Sequence, residues 1–339
     1  MNQEKYPVTY GRNLLTTLTD SKENWLIVTD PVIWEKLKGQ VKQDAIQLYF
    51  VTTMEKKVME EEVKTLSGFT QVLGLGGGMA ADAAKLWATA HQVPLYQMPT
   101  ALSVNAFLCY KTAVRYDHVV KYEGDILPKE ILIDFDILEQ APRHLNLSGV
   151  GDLLSCLTAS YDWKINALIT KSHAFDQRIY DETQEMLDLL AEYMGDIVQN
   201  KEPGLRFIVR AYKEIAEHSY RMRHTMWEDG SEHNVFMNLE RITGRQFLHG
   251  QAVCLGVYFM SAFQDNQHER AVSLIQRSEL DIRPQALQVT IDDIRQALLT
   301  LNQFVRDQHI RYSICNAKAV TAEWVEEILA KYQRDFPVG

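Results

Sequence analysis

The chain has 339 residues, of which 46% are hydrophobic and 24% charged, and its formal net charge is −10. This composition is typical of a globular protein, and the length suits two domains. The acidic balance argues against nucleic acid or an anionic membrane as the main partner, although a local cluster of cations can still hold one phosphate.

The cysteines and the apolar runs indicate the compartment. Cys109, Cys156, Cys254 and Cys315 form no C-x-x-C pair, which excludes a zinc ribbon or a thioredoxin motif. Isolated cysteines in a chain of this length fit a reducing cytosol. Residues 1–10 carry no apolar signal core, and the longest apolar stretch, at 252–263, is too short to span a bilayer. We therefore expect a cytoplasmic protein without a membrane partner.

Up to residue 146 the chain alternates short apolar runs with helical patterns. The runs predict strands over Trp25–Thr29, Gln47–Thr52, Gln71–Leu75, Pro94–Met98 and Glu130–Phe135. The segments between them predict helices over Pro31–Leu37, Met54–Leu66 and Ala80–Ala90. This alternation implies right-handed crossovers and a mostly parallel sheet. Between Tyr110 and Val120 the pattern indicates a small antiparallel excursion.

The pattern changes at residues 142–149, after which almost only helical stripes follow. They predict helices over Asp152–Trp163, Asp176–Gly195, Leu205–Arg221, Leu248–Phe263, Ile291–Val305 and Ala322–Tyr332. We therefore predict an α/β domain over residues 1–146 with a mostly parallel sheet, followed by an all-α domain over residues 147–339. Two such domains leave a cleft, where small ligands commonly bind.

A glycine-rich turn, Gly74-Leu75-Gly76-Gly77-Gly78, stands between the third predicted strand and a helix. Glycine lets a ligand approach the main chain, and the helix N-terminus offers unpaired N–H groups to a pyrophosphate. The run is not the G-x-G-x-x-G fingerprint, since Met79 replaces the last glycine, and no P-loop lysine follows. A turn that serves only packing is the alternative, but the strand–glycine–helix context favours phosphate binding.

Asp30 ends the first clear strand. A carboxylate there can accept hydrogen bonds from an adenosine ribose and would repel a 2′-phosphate, which favours NAD over NADP as the cofactor. The alternative interpretation is a plain helix-entry residue.

Three side chains of metal-binding type stand in the helical half: Asp152, His233 and His249. One carboxylate and two imidazoles leave positions open on a divalent metal, as a catalytic site requires. Spacing alone does not distinguish such a set from unrelated surface or core residues, so both interpretations stay open at this point.

Four segments taken together resemble the signature of the iron-containing alcohol dehydrogenase and dehydroquinate synthase superfamily. In chain order they are Gly76-Gly77-Gly78-Met79-Ala80-Ala81-Asp82-Ala83-Ala84-Lys85, Pro99-Thr100-Ala101-Leu102-Ser103, Gly149-Val150-Gly151-Asp152 and Leu248-His249-Gly250-Gln251-Ala252-Val253. They resemble the family patterns GGG-x-x-x-D-x-x-K, P-T-x-x-S, G-x-G-D and H-G-x-x-V. Within the superfamily, Asp162-Trp163 and Gly230-Ser231-Glu232-His233 are similar to the glycerol-1-phosphate dehydrogenase branch, with glycerol dehydrogenases second.

The resemblance implies a Rossmann-like N-terminal domain, a helical C-terminal domain and NAD or NADP as cofactor. It implies one divalent ion, zinc, iron or nickel, held by the residues that match its ligands, Asp152, His233 and His249. It further implies that Gly76, Gly77 and Gly78 hold the pyrophosphate, and that the cofactor or substrate wall is lined by Asp82, Thr100 and Ser103.

Two positions depart from the family pattern. Asn105 replaces the aspartate that usually follows the P-T-x-x-S segment near the substrate, and an asparagine cannot act as a base. Met237 replaces a second histidine that is common after the first metal histidine. These departures affect which substrate the site accepts and which group transfers the proton of the substrate hydroxyl.

The resulting hypothesis is a dehydrogenase that interconverts a small polyol or polyol phosphate, of the glycerol-1-phosphate type, and its ketone. The metal would stabilise the negative charge that develops on the carbonyl oxygen during hydride transfer. The alternatives are a glycerol dehydrogenase, a dehydroquinate synthase-like cyclase, and a cofactor-binding homologue without turnover. A homo-oligomer is expected, because soluble enzymes of this kind commonly associate.

Overall fold

The computed structural model describes residues 5–42, 46–116 and 119–337, and the chain divides into two compact units. The first unit comprises the described residues up to Asn146 together with Asn200–Tyr220. The second comprises Leu147–Gln199 and the described residues from Arg221 onward. The sequence interpretation divided the chain once, after residue 146, whereas the structure groups Asn200–Tyr220 with the first unit.

Hydrogen bonds explain why Asn200–Tyr220 joins the first unit. The Asn200 side chain donates to the carbonyl of Glu139 at 2.9 Å and accepts from the Asn146 amide at 2.6 Å. The Asn146 carbonyl oxygen in turn accepts the backbone N–H of Leu102 at 2.8 Å. A buried asparagine that satisfies both its donor and its acceptor fixes the position of the backbone around it. The helical pattern of the sequence contains no information about such contacts, so it could not show that Asn200–Tyr220 belongs to the first unit.

The strands of the chain all lie in the first unit, among the described residues. They are β1 (Val8–Gly11), β2 (Trp25–Thr29), β3 (Gln47–Phe50), β4 (Gln71–Gly76), β5 (Leu95–Pro99), β6 (Thr112–Tyr116), β7 (Val119–Glu123) and β8 (Glu130–Asp134). Six form a sheet in the order β1-β8-β5-β4-β2-β3, with every neighbouring pair parallel, and β6 and β7 form an antiparallel hairpin. The predicted parallel sheet is confirmed, as is the antiparallel excursion, of which residues 117–118 lie outside the described residues.

The sheet of the first unit is covered on both faces. Along β2, Leu26 and Val28 belong to one apolar cluster, while Trp25 and Ile27 belong to another. A strand buried on both faces reads as a continuous apolar run, which is why the sequence marked β2 clearly. The helices of this unit before residue 146 are α1 (Leu14–Thr19), α2 (Pro31–Leu37), α3 (Lys56–Glu62), α4 (Gly78–His91) and α5 (Phe135–Leu138).

After β8, all regular secondary structure among the described residues is helical. The helices that follow α5 are α6 (Arg143–Thr170), α7 (Gln177–Val198), α8 (Glu202–Met222), α9 (Ser231–Thr243), α10 (His249–Phe263), α11 (His268–Ser278), α12 (Pro284–Leu287), α13 (Ile291–Leu299), α14 (Leu301–Asp307), α15 (Ile314–Ala317) and α16 (Ala322–Asp335). The predicted helix over 291–305 is two helices divided at Thr300. The strand β1 and the helices α1, α5, α11, α12 and α15 were not predicted. The predicted fold class is confirmed. Within the described residues no helix combines the length and apolarity needed to cross a bilayer.

Candidate metal centre and nucleotide turn

Asp152, His233 and His249 converge in the second unit, although three different helices carry them. The Nε2 atom of His249 lies 3.2 Å from Oδ1 of Asp152 and 3.3 Å from Nε2 of His233. One potential ligand atom from each residue lies within 4.8 Å of the other two. The three predicted ligands therefore lie together in the structure. Their spacing along the sequence could not show this.

Glycines in α6 and α10 bring two of the ligands together. A Cβ on Gly151 would overlap the carbonyl oxygen of Gly250, and a Cβ on Gly250 would overlap the carbonyl oxygen of Ser148. Only glycine permits backbones to approach this closely. Because Gly151 precedes Asp152 and Gly250 follows His249, the contact places the carboxylate beside the imidazole.

The donor set fits a divalent metal. Ligand atoms about 2.1 Å from a tetrahedral ion lie about 3.4 Å apart, and the two observed separations are 3.2 and 3.3 Å. In addition, Oδ2 of Asp152 is buried without a hydrogen-bond partner. A buried carboxylate oxygen left unpaired is costly unless a cation neutralises it. Three protein ligands also leave positions open for a substrate.

Glu232 binds the ring nitrogen of His233 that does not face the other two ligands. The Nδ1 atom of His233 lies 2.8 Å from Oε1 of Glu232, so Nδ1–H donates to the carboxylate and Nε2 faces the other ligands. Burial lowers the pKa of His233, but the hydrogen bond to Glu232 and the charge of Asp229 outweigh it and raise the pKa to about 9. In the metal-free protein His233 thus holds a proton that a metal must displace.

Asp162, on α6, binds the backbone at the start of α9, the helix that carries His233. Its carboxylate accepts hydrogen bonds from the backbone N–H groups of Ser231 at 2.8 Å and Ile314 at 2.7 Å. Burial and then the charge of Glu232 raise the pKa of Asp162 to about 7, against the lowering by these hydrogen bonds. Sequence reasoning identified Asp162 only as part of a family resemblance and assigned it no role.

A cavity of about 240 Å³ adjoins this network within the second unit. Its lining includes Met237, the position that departs from the family pattern, and Asn234. It also includes Arg311, whose guanidinium pairs with Asp229. Asp229 in turn lies 4.0 Å from the His233 imidazole. The cavity therefore has a mixed polar and apolar lining, and it adjoins the Nδ1 side of the metal ligand, opposite the nitrogen that faces His249.

The glycine turn lies in the first unit, as predicted. Gly76 ends β4 with a φ of 155°, a conformation open to glycine, and Gly77 is the N-cap of α4. Gly77 offers no side-chain acceptor, and Gly78 begins the helix. The N–H groups of the first turn of α4 are thus left for an anion. The local geometry fits the predicted pyrophosphate site.

Asp30 and Thr100 lie at the same edge of the sheet as Gly76. The pairs Val28↔Gly74 and Gly76↔Pro99 put the carboxyl ends of β2, β4 and β5 side by side. Oδ1 of Asp30 accepts the N–H groups of Val32 and Ile33 at the start of α2, at 2.9 and 3.0 Å. The helix-entry interpretation of Asp30 is therefore correct, while Oδ2 stays available for a ribose.

The remaining predicted residues have partners inside the first unit. Asp82 is buried in α4 and pairs with Lys85 at 2.8 Å, and Lys85 also donates to the carbonyl of Lys111 at 2.7 Å. Asp82 thus anchors α4 to the segment before β6, a role that sequence reasoning missed. Ser103 and Asn105 lie in the loop after β5, where the Asn105 carbonyl accepts the N–H of Leu108 at 2.8 Å.

Comparison with known proteins supports the assignment. A family profile described as iron-containing alcohol dehydrogenase matches residues 9–142. The chain is 24% identical over 317 residues to a glycerol-1-phosphate dehydrogenase (NAD(P)+) of Methanosphaera stadtmanae, in an alignment that covers 91% of this chain and 90% of that protein.

Solved structures share the fold. Glycerol dehydrogenase from Schizosaccharomyces pombe has a TM-score of 0.73 at 18% identity, over 97% of this chain and 90% of that one. A 2-epi-5-epi-valiolone synthase from Streptomyces hygroscopicus subsp. jinggangensis, with NAD+ and Zn2+ bound, has a TM-score of 0.63 at 19% identity, over 98% of both chains. The predicted resemblance is thereby confirmed: residues 9–142 match the iron-containing alcohol dehydrogenase profile, and the chain is similar over most of its length to glycerol-1-phosphate dehydrogenases.

Proposed function

We propose that the chain is a metal-dependent, NAD(P)-linked dehydrogenase that interconverts a small polyol phosphate, of the glycerol-1-phosphate type, and its ketone. The convergence of Asp152, His233 and His249, with Oδ2 of Asp152 unpaired, carries this proposal. Similarity over 91% of the chain to a glycerol-1-phosphate dehydrogenase supports the phosphorylated substrate class. The corresponding unphosphorylated polyol is the runner-up substrate.

The three ligands define what the site can do. A divalent ion held by them would act as a Lewis acid on the ketone oxygen while a nicotinamide supplies the hydride. The Asp152 carboxylate would balance part of the ion's charge, and Glu232, by accepting Nδ1–H of His233, turns Nε2 toward the ion, which would displace the proton held there. His249 has 26% of its side chain exposed, so a small substrate can reach the site from that side.

Residues of the first unit would bind the cofactor. We assign the pyrophosphate to the N–H groups that follow Gly76, Gly77 and Gly78, because the first turn of α4 has no side-chain cap. Asp30 would accept the ribose hydroxyls through Oδ2, which favours NAD over NADP. Thr100 and Ser103 would line the same wall, with Asp82 supporting it through Lys85.

Asn105 would bind a substrate hydroxyl but cannot take its proton. The proton released or consumed in the reaction must therefore use another group or solvent. The homo-oligomeric state and the cytoplasmic location stay predictions.

A substrate panel with reloaded metal tests the proposal. Protein stripped of metal and reloaded with zinc, nickel or iron should oxidise NADH with dihydroxyacetone phosphate faster than with dihydroxyacetone. His233→Ala and His249→Ala should lose this activity, while His144→Asn, at an exposed histidine outside the site, should keep it. Full activity without metal, or turnover without net NADH consumption as in a cyclase, would contradict the proposal.

A further inference from the structure

Glu232 is a fully buried carboxylate that contacts the metal ligand His233 directly. Its Oε1 accepts the backbone N–H of Gly230 at 2.6 Å and the Nδ1–H of His233 at 2.8 Å. Its Oε2 accepts the hydroxyl of Thr158 at 2.6 Å. We propose that Glu232 is a positioning residue that selects the Nδ1–H tautomer of His233 and adds a second anionic group to the metal site.

The tautomer follows from hydrogen-bond chemistry. A carboxylate only accepts hydrogen bonds, so a histidine nitrogen facing it must carry the proton. In His233 that nitrogen is Nδ1, so Nε2, which lies 3.3 Å from Nε2 of His249, is the nitrogen left for coordination once a metal displaces its proton. An anionic acceptor also increases the electron density on the imidazole and strengthens its bond to a cation.

Thr158 links Glu232 to α6, the helix that carries the ligand Asp152. Its hydroxyl orients the second oxygen of Glu232 on α9. The same helix therefore supplies one ligand directly and holds a second ligand through two hydrogen bonds. A Cβ on Gly256 of α10 would overlap the carbonyl of Glu232, so α10 confines the residue as well.

A purely structural role is the competing explanation, because Glu232 also caps the N–H of Gly230 at the start of α9. The two explanations differ in what a neutral isostere would do. In Glu232→Gln the amide oxygen can still accept from Gly230 and His233, and the amide nitrogen can donate to the Thr158 hydroxyl. The cap and the shape would then persist, while the charge would be lost.

Cobalt binding to the full-length protein separates the two roles. We expect Glu232→Gln to bind Co2+ about 10–100-fold more weakly than the unmodified chain, with a changed visible absorption spectrum of the bound ion. The thermal midpoint of the metal-free variant should stay close to that of the unmodified protein. Co2+ affinity and spectrum equal to those of the unmodified chain would overturn the proposal and leave only the capping role.

Two further variants keep the test decisive. Thr158→Val removes one hydrogen bond to Glu232 without touching His233, and should weaken Co2+ binding in the same direction even if Glu232→Gln fails to fold. Gly195→Ala adds a Cβ in α7 that meets nothing within 4 Å, and should leave Co2+ affinity within about threefold. An unchanged affinity in Thr158→Val would also count against the proposal. The inference rests on the proposed metal site. If the unmodified chain bound no Co2+, the metal site itself would be refuted. If the unmodified chain and Glu232→Gln bound Co2+ equally well, only the role of Glu232 would be refuted.

Discussion

The imidazoles of His233 and His249 face each other with their Nε2 atoms 3.3 Å apart, although the residues stand 16 positions apart and on different helices. Two such nitrogens can share a proton or bind one cation. The adjacent Asp152 carboxylate, with one oxygen unpaired, favours the cation.

Metal affinity should depend steeply on pH. The pKa of His233 is raised to about 9, so the metal-free site holds a proton at neutral pH that the ion must displace. Affinity for Co2+ should therefore rise about tenfold per pH unit from pH 6.5 to 8.5 and level off above about 9. Competition with a chelator of known proton affinity measures this slope, and a pH-independent affinity over that range would contradict the assignment.

The close approach of α6 and α10 should be essential for the site. Gly151→Ala would drive a Cβ into the carbonyl of Gly250, which we expect to lower the free energy of unfolding by about 2 kcal/mol or more. The same shift would separate Asp152 from His249 and weaken metal binding at least tenfold. Chemical denaturation and Co2+ titration measure the two effects.

Gly195→Ala provides the matched control. Gly195 lies in α7, and a Cβ added there would meet nothing within 4 Å, so alanine should stabilise the protein by about 0.5–1 kcal/mol. Metal affinity should not change. Equal behaviour of the two alanine variants would show that the glycine contact does not shape the metal centre.

Asp162 should make the metal-free protein less stable as pH rises. Its pKa is about 7 in the folded protein against 3.8 as the ordinary value, because of burial and the charge of Glu232. The folded state thus holds a proton that the unfolded state releases between these values. The stabilisation is present below about pH 4 and is lost as pH rises through about 7, by up to about 4 kcal/mol.

Comparison with Asp162→Asn isolates this contribution. The difference in unfolding free energy between the unmodified chain and the variant should favour the unmodified chain more at pH 5 than at pH 8. Urea denaturation across this range provides the measurement. A difference that stays constant, or that grows with pH, would be inconsistent with a raised pKa.

Asp30 should set the choice between the two nicotinamide cofactors. Asp30→Ser keeps an N-cap acceptor for α2 but removes the charge that would repel a 2′-phosphate. The ratio of kcat/KM for NADPH to that for NADH should rise about tenfold or more. Asp20→Ser, at an exposed site before β2, should leave the ratio unchanged. A clear preference of the unmodified chain for NADPH would be incompatible with this role.

Sequence patterns predicted the layered part of the fold well. The bounds of β2 and α2 match the prediction, because the continuous apolar run, Asp30 and Pro31 are local signals. The edge strand β1 was missed, since Val8–Gly11 is only half-buried and lacks an apolar run. One helix was predicted over 291–305, whereas the structure has two that are divided at Thr300. The apolar stripe of the sequence continues across this division and therefore did not reveal it.

The candidate site was predicted only in part. Its three ligands could be named from their residue types and the resemblance, but the sequence contained no measure of their separation. Thr158 and Glu232 stand 74 positions apart, and their hydrogen bond leaves no periodic trace. Likewise, Asp82 was assigned to a cofactor wall, whereas its buried pairing with Lys85 depends on tertiary burial. Long-range polar contacts of this kind become visible only in the folded structure.

The most direct test of the central claim is an anomalous difference map from a crystal grown with saturating zinc or cobalt. We predict one strong peak about 2.0–2.2 Å from a carboxylate oxygen of Asp152 and from the Nε2 atoms of His233 and His249. A peak bound elsewhere, or no peak while the two imidazoles remain in contact, would contradict it.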